Sequence, residues 1–320
     1  MRENPQESEM AKPLEHFTHT DPCTDDQLHE LVNRALQVAG NAQAFANALS
    51  GRLLINLFYE PSTRTRISFE TAAKRLGMHV VNISATGSSV EKGESLFDTF
   101  DTLQAMQPDF IVVRHRDEGV AEALAERAEP GLHVINAGDG TRAHPTQALL
   151  DAVTLQQAFG DLRPLKIAMA GDIRHSRVAR SSLALFPRLG VADIRLAGPA
   201  DFLPTDAERD GVRICRTLDE AIDDADAIIM LRIQKERISG LSIPSDADYH
   251  AAWGLTESRL ERAAPGCRVL HPGPINRGVE IADSVADGPR SLIRRQVRNG
   301  LHTRMALLLE LDGHGAYPGV

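Results

Sequence analysis

The strongest constraint on how this chain folds is a repeated alternation. Short apolar runs of strand length are each followed by a segment whose apolar residues recur at helical spacing. Arg52–Tyr59 (RLLINLFY) is apolar almost throughout, the mark of a strand covered on both faces in a parallel sheet. A helix over Ile67–Leu76 follows, closed by Gly77 in the C-terminal position that glycine favours. Strand His79–Ser84, helix Glu94–Met106, strand Asp109–Arg114, helix Val120–Ala128 and strand His133–Asn136 continue the series. Ahead of it, Leu28, Leu31, Val32, Ala35 and Leu36 predict a helix over Gln27–Ala39.

A long helix, Pro145–Phe159, leads into a second series. It comprises strand Lys166–Ala170, helix Arg177–Leu189, strands Asp193–Ala197 and Val212–Cys215, helix Leu218–Ala225, and strands Ala227–Leu231 and Arg268–Leu270. Such alternation predicts an α/β fold: two domains, each with a mainly parallel sheet flanked by helices, and an active site in the cleft between them. The expected limits are a loosely ordered extension over 1–22, a first domain over 23–145 and a second over 146–291. The terminal helix Leu292–Leu311 carries Leu301, Met305, Leu308 and Leu309 on one face, so residues 292–320 are expected to complete the first domain.

The chain's 320 residues suit two domains of ordinary size. Thirty-five Lys and Arg against 44 Asp and Glu give a net charge of −9, with no basic run, which argues against nucleic acid and anionic membranes as partners. Cys23, Cys215 and Cys267 form no C-x-x-C pair, so neither a zinc site nor a disulfide framework is expected. The polar N-terminus lacks the apolar core of a signal peptide, and no run approaches the roughly 20 apolar residues of a membrane span. The expected compartment is the cytoplasm. Met10 is an alternative start of translation.

Chemistry concentrates at Phe58-Tyr-Glu-Pro-Ser-Thr-Arg-Thr-Arg-Ile-Ser-Phe-Glu70. A buried strand ends at Pro61, and hydroxyl and guanidinium groups crowd the opening of a helix. Helix N-termini present unpaired N–H groups and a positive dipole end, a ready anion site. Ser62, Thr63 and Thr65 add donors, and Arg64 can grip a phosphate bidentately. Ordinary N-capping by Ser62 or Thr63 does not explain Arg64 and Arg66 at an end that repels cations.

The segment Ser62-Thr63-Arg64-Thr65-Arg66 with Ser68-Phe69-Glu70 resembles the carbamoyl phosphate loop of the aspartate and ornithine carbamoyltransferase family. Further segments in family order are similar to it: Val112–His115, Asn136–Gln147 with His-Pro-Thr-Gln, Gly171–Arg177, Leu231–Arg237 and His271–Ile281. The likeness runs from about residue 52 to 281, leaving the N-terminal extension outside.

This resemblance implies that Ser62, Thr63, Arg64, Thr65, Arg114, His144 and Gln147 bind carbamoyl phosphate. Main-chain carbonyls at Gly273 and Pro274 assist them, although some relatives have Leu where Gly273 stands. Arg64, Thr65, Arg114 and His144 are the implied catalytic residues, with His144 donating to the carbonyl oxygen. Arg177 and Arg232, helped by Gln234, would hold the two carboxylates of aspartate. Polar loop Ser88–Glu94 looks like the family's shared loop, which supplies Lys92 and a serine (Ser88, or alternatively Ser89) to the neighbouring subunit. Lys92 would touch both substrates.

The implied reaction is transfer of a carbamoyl group to aspartate, in pyrimidine synthesis, by a homotrimer with shared sites. No metal or cofactor is implied, and a regulatory or dihydroorotase-like partner chain stays open. Ornithine is the rival acceptor, but its ammonium would be repelled by Arg177 and Arg232, and the His-Cys-Leu-Pro and Ser-Met-Gly segments of ornithine enzymes are absent. A relative that only binds an anion is the second rival.

Overall fold

A strand covered on both faces needs helices above and below it, and the chain satisfies this twice. The computed structural model describes residues 13–84, 95–205, 211–234 and 245–313. Its first half contains α1 (Asp25–Gly40), β1 (Leu53–Phe58), α2 (Thr63–Arg75), β2 (His79–Ser84), α3 (Leu96–Gln104), β3 (Phe110–His115), α4 (Val120–Arg127), β4 (His133–Asp139) and α5 (Pro145–Phe159). The second half contains β5 (Lys166–Ala170), α6 (Arg177–Leu185), β6 (Asp193–Ala197), β7 (Val212–Ile214), α7 (Leu218–Ile222), β8 (Ala227–Met230), α8 (Asp246–Trp253), α9 (Glu257–Leu260), β9 (Arg268–Leu270), α10 (Asp283–Ala286) and α11 (Ile293–Leu311).

The described strands form two all-parallel sheets, ordered β2-β1-β3-β4 and β7-β6-β5-β8-β9. The α/β expectation with two parallel sheets therefore holds. In each sheet the chain leaves a central strand to one side and later returns to pair with its other side. The first sheet thus switches direction between β1 and β3, the second between β5 and β8. Ligands of open α/β sheets bind in the crevice beyond the carboxyl ends of the strands at such a switch.

Alternation along the strands feeds separate cores. Ile55 and Leu57 pack with Phe100, Ile111, Val113 and Leu124 on one face of the first sheet. Leu54, Phe58, Phe110 and Val112 face the other way, into a cluster that also takes in Phe69, Leu149, Ile167, Met169 and Leu308. On β5 the alternate residues Ala168 and Ala170 face a third cluster with Ile228, Met230 and Val269. Helix α11 lies against α1, α2 and α5.

Several boundaries differ from expectation. Helix α2 begins at Thr63, not Ile67, because its first turn is polar and carries no apolar period. The helix expected over Arg177–Leu189 ends at Leu185, and a 3-10 turn follows over Pro187–Leu189, where proline cannot continue it. Helices α8, α9 and α10 were not anticipated; they are short, and two have only four residues. Residues 13–22 are not loosely ordered: Phe17 is fully buried, donates to Val134 O and accepts from Asn136 N, adding a parallel bridge beside β4. Among the described residues no helix is long and apolar enough to cross a membrane.

Candidate active site

Helix α2 leaves β1 through a four-residue elbow, residues 59–62, and its first turn is Thr63–Arg64–Thr65. Ser62 is the N-cap in extended conformation, yet its hydroxyl makes no capping bond. The capping explanation for this serine therefore falls, and its oxygen is left to the cavity that it lines. Arg114 projects from the end of β3, at the same switch point. Its Nη1 donates to Ala137 O at 3.1 Å, and its Nε lies 3.0 Å from Glu60 Oε2.

His144 is the buried N-cap of α5, followed by Pro145 in the first helical turn. Its backbone N–H donates to Ser181 Oγ of α6 at 2.8 Å, fixing the start of α5 against the second half of the molecule. Gln147 sits one turn on, and its Nε2 donates to Asp151 Oδ1 at 3.0 Å.

The second switch point carries the other arginines. Ser176 caps α6 by accepting from Ala179 N, which places Arg177 at the first helical position. Arg177 reaches back to the first sheet, its Nη2 2.8 Å from Glu60 Oε2 and its Nη1 3.3 Å from Gly140 O. Arg232 and Gln234 follow β8. Buried Asp172 ties the two loops together, accepting from Gln234 N at 3.1 Å while its other oxygen lies 2.8 Å from His175 Nδ1. The strands come so close here that a Cβ on Gly171 (φ +127°) would lie 2.0 Å from Leu231 O, so only glycine fits.

The segment after β9 forms a third wall. His271 Nδ1 accepts from Gly273 N at 2.8 Å, and its Nε2 lies 3.0 Å from Glu280 Oε1. The loop is thus pinned by one buried imidazole–carboxylate pair. Gly273 has φ +67°, and a Cβ there would lie 3.0 Å from Cζ of Arg64, so this backbone and that guanidinium are in contact range.

These walls enclose one cavity of about 880 Å³. Ser62, Thr63, Arg64, Thr65, Arg114, His144, Gln147, Arg177, Arg232, Gln234, Gly273 and Pro274 all line it. Every site residue expected from the sequence is therefore brought to it except Ser88 (with its alternative Ser89) and Lys92, which lie outside the described residues.

Sequence reasoning passed over Glu60, although it stood inside the quoted loop. A carboxylate beside so many cations was the available signal. Also missed were Asp151, Gln296 and Arg304, buried polar residues in or behind the cavity wall, and the pairing of His271 with Glu280 inside the quoted His271–Ile281 segment. Burial pushes the Asp151 carboxyl up to about 7 and Arg304 down to about 10. Arg304 donates to Ser68 Oγ at 3.0 Å and lies over the Phe69 ring at 4.9 Å. Gln296 and Arg304 come from α11, distant in sequence, and no short motif announces them.

Comparison with known proteins agrees with this geometry. Residues 15–157 match the family model for the aspartate/ornithine carbamoyltransferase carbamoyl-P binding domain, and residues 163–311 match that for the Asp/Orn binding domain. The match takes in residues 15–22, which the sequence reading left outside. An aspartate carbamoyltransferase catalytic subunit of Mesorhizobium japonicum is 47% identical over 287 residues, covering 90% of this chain and 87% of that protein. The aspartate transcarbamoylase of Trypanosoma cruzi, solved with N-(phosphonacetyl)-L-aspartic acid, superposes with a TM-score of 0.84 at 32% identity, over 93% of this chain and 98% of that one. An ornithine carbamoyltransferase from Thermus thermophilus gives 0.82 at 28% identity, over 93% and 99%. With both domain models matched in order along nearly the whole chain, the protein belongs to the aspartate/ornithine carbamoyltransferase family.

Proposed function

We propose that this carbamoyltransferase moves the carbamoyl group of carbamoyl phosphate to L-aspartate, giving N-carbamoyl-L-aspartate and phosphate, the committed step of de novo pyrimidine synthesis. The observation that carries the choice of acceptor is the placement of Arg177 and Arg232 on the second sheet's switch point, across one cavity from the Ser62–Thr65 helix terminus. Two guanidiniums suit a dicarboxylate, each matching one carboxylate fork, and oppose an acceptor with a side-chain ammonium.

In this reading the phosphate sits on the N–H groups and hydroxyls at the start of α2, with Arg64 and Arg114 as counter-charges. The carbamoyl carbonyl oxygen points at His144, Thr65 and Arg64, and its NH2 group faces Gln147 and the carbonyls of Gly273 and Pro274. Arg177 takes the α-carboxylate of aspartate, and Arg232 with Gln234 takes the side-chain carboxylate. The amine lone pair attacks the carbonyl carbon, and the C=O electrons move to oxygen. The bond from the carbonyl carbon to the phosphate oxygen then breaks as the carbonyl re-forms, and the proton lost by the nitrogen passes to the departing phosphate. Orientation of two reactants supplies about 7–11 kcal/mol, and donors on the developing oxyanion about 2.7–4 kcal/mol each.

The domain division expected from the sequence, 23–145 with 292–320 against 146–291, belongs to the same proposal, with closure of the second onto the first joining the two half-sites. So does a homotrimer in which Ser88 and Lys92 serve the neighbouring subunit. Exposed Ile67, Val81 and Phe97, on α2, the sheet-edge strand β2 and α3, support an association surface there. A cytoplasmic location and a regulatory or dihydroorotase-like partner chain complete it.

The test is carbamoyl transfer by the purified chain with aspartate or ornithine as acceptor. Turnover with aspartate alone is expected. Turnover with ornithine would overturn the assignment of Arg177 and Arg232.

A further inference from the structure

The two ends of a glutamine side chain have nearly the same shape and opposite hydrogen-bonding sense. Which end Gln147 turns toward the cavity therefore decides what it can hold there. That choice is made at a distance. The backbone N–H of His271 can only donate, and it donates to Gln296 Oε1 at 2.9 Å. Gln296 must then present Nε2 to Asp151, where it donates to Oδ1 at 2.7 Å. Asp151 Oδ1 is thereby an acceptor. Gln147 meets that same oxygen at 3.0 Å, so it must approach with its own Nε2, and its Oε1 is left to the cavity. His271, Gln296, Asp151 and Gln147 are all at least nine-tenths buried, so bulk water does not compete to turn either amide.

We propose that Asp151, which lines no part of the cavity, is a specificity-determining positioning residue that fixes Gln147 with its oxygen inward and so selects an acyl phosphate whose acyl group ends in NH2 over one ending in CH3. Carbamoyl phosphate and acetyl phosphate differ only in that group. An amide NH2 satisfies the inward oxygen, whereas a methyl group buries it unpaired. If Gln147 were free to turn, its NH2 end would face the substrate NH2, donor against donor, and the preference would shrink. The inference rests on the reading of Gln147 given above.

The measurement is kcat/KM for carbamoyl phosphate and for acetyl phosphate, each with saturating aspartate. It compares the wild type with Asp151→Asn, Asp151→Val and Gln147→Leu. Asp151→Val removes the acceptor, and the carbamoyl-to-acetyl ratio is expected to fall about tenfold or more. The loss should fall on carbamoyl phosphate, with acetyl phosphate staying within about threefold of wild type. Asp151→Asn keeps an acceptor oxygen in place and should keep the wild-type ratio.

Equal losses for both donors in Asp151→Val, or an Asn variant as unselective as Val, overturn the proposal. An unchanged ratio in Asp151→Val alongside a lowered ratio in Gln147→Leu also overturns it while sparing the reading of Gln147. An unchanged ratio in Gln147→Leu sinks that reading itself, and the proposal with it. Asp151→Ala, which opens space where Val fills it, gives the same readout if the Val chain does not fold.

Discussion

Oε2 of Glu60 lies 2.8 Å from Nη2 of Arg177, joining the loop after β1 of one sheet to the first turn of α6 beside the other. The same oxygen lies 3.0 Å from Nε of Arg114, so one carboxylate oxygen offsets a cation from each half of the site. Glu60→Gln keeps the shape and removes the charge. Its kcat/KM for aspartate is expected to fall about tenfold or more, because partly buried charges lose their partner. Inorganic phosphate should bind at least as tightly, since the guanidiniums lose a competing anion. Weaker phosphate binding would instead show that Glu60 orders the α2 terminus.

His144 stands at the N-terminus of α5, buried, with its backbone locked to Ser181. Replacing it by Ala is expected to lower kcat about 10²–10³-fold, the cost of one oxyanion donor. A steady-state assay decides this, and a fall below about threefold would remove His144 from the polarising role.

Asp151 gives stability a pH dependence with a definite sign. Its carboxyl lies at about 7, above the ordinary value of 3.8, because burial disfavours the anion. Stability from the neutral form is therefore complete below about pH 4 and is lost as pH rises through about 7. Asp151→Asn has no such slope. Its Tm relative to wild type should rise between about pH 5 and about pH 8, as calorimetry can show. A Tm difference that stays constant over that range would mean the carboxyl titrates normally.

Cys23, Cys215 and Cys267 are all buried, and burial raises each thiol, Cys23 to about 11 and Cys267 to about 12. The thiolate is the reactive form. Ellman's reagent at neutral pH should find none of the three in the native protein and all three after denaturation. Rapid native reaction at one of them would locate a segment that opens.

The parts of the site legible from sequence share one property. Ser62–Thr65, Arg114, Arg177 and Arg232 each sit where an apolar strand gives way to polar residues, so local pattern alone places them at strand ends. Glu60 sat in the same stretch and was missed because its partners, Arg114 and Arg177, lie 54 and 117 residues away and only the fold brings them to it. The chain His271–Gln296–Asp151–Gln147 is a harder case. Asp151 is one acid within an apolar helix, Gln296 stands among arginines, and the link between them depends on α11 packing against α5. Phe17 escaped for a related reason: one aromatic residue among polar neighbours carries no period, although tertiary pairing beside β4 buries it completely.

Helix α11 also sets the order in which the chain can finish folding. Met305–Leu309 belong to the same buried cluster as Leu28, Leu31, Phe69 and Phe110, contributed by the first third of the chain. At ribosomal speed roughly 10–50 s separate the end of α1 from the start of α11. During that time the apolar faces of α1 and α2 wait for a partner not yet made. A stop codon ahead of Ile293 would therefore release a polypeptide whose first-made core never closes, and whose cavity lacks the stretch of wall that carries Gln296 and Arg304. The ribosome must reach the last helix before the opening helices can be covered.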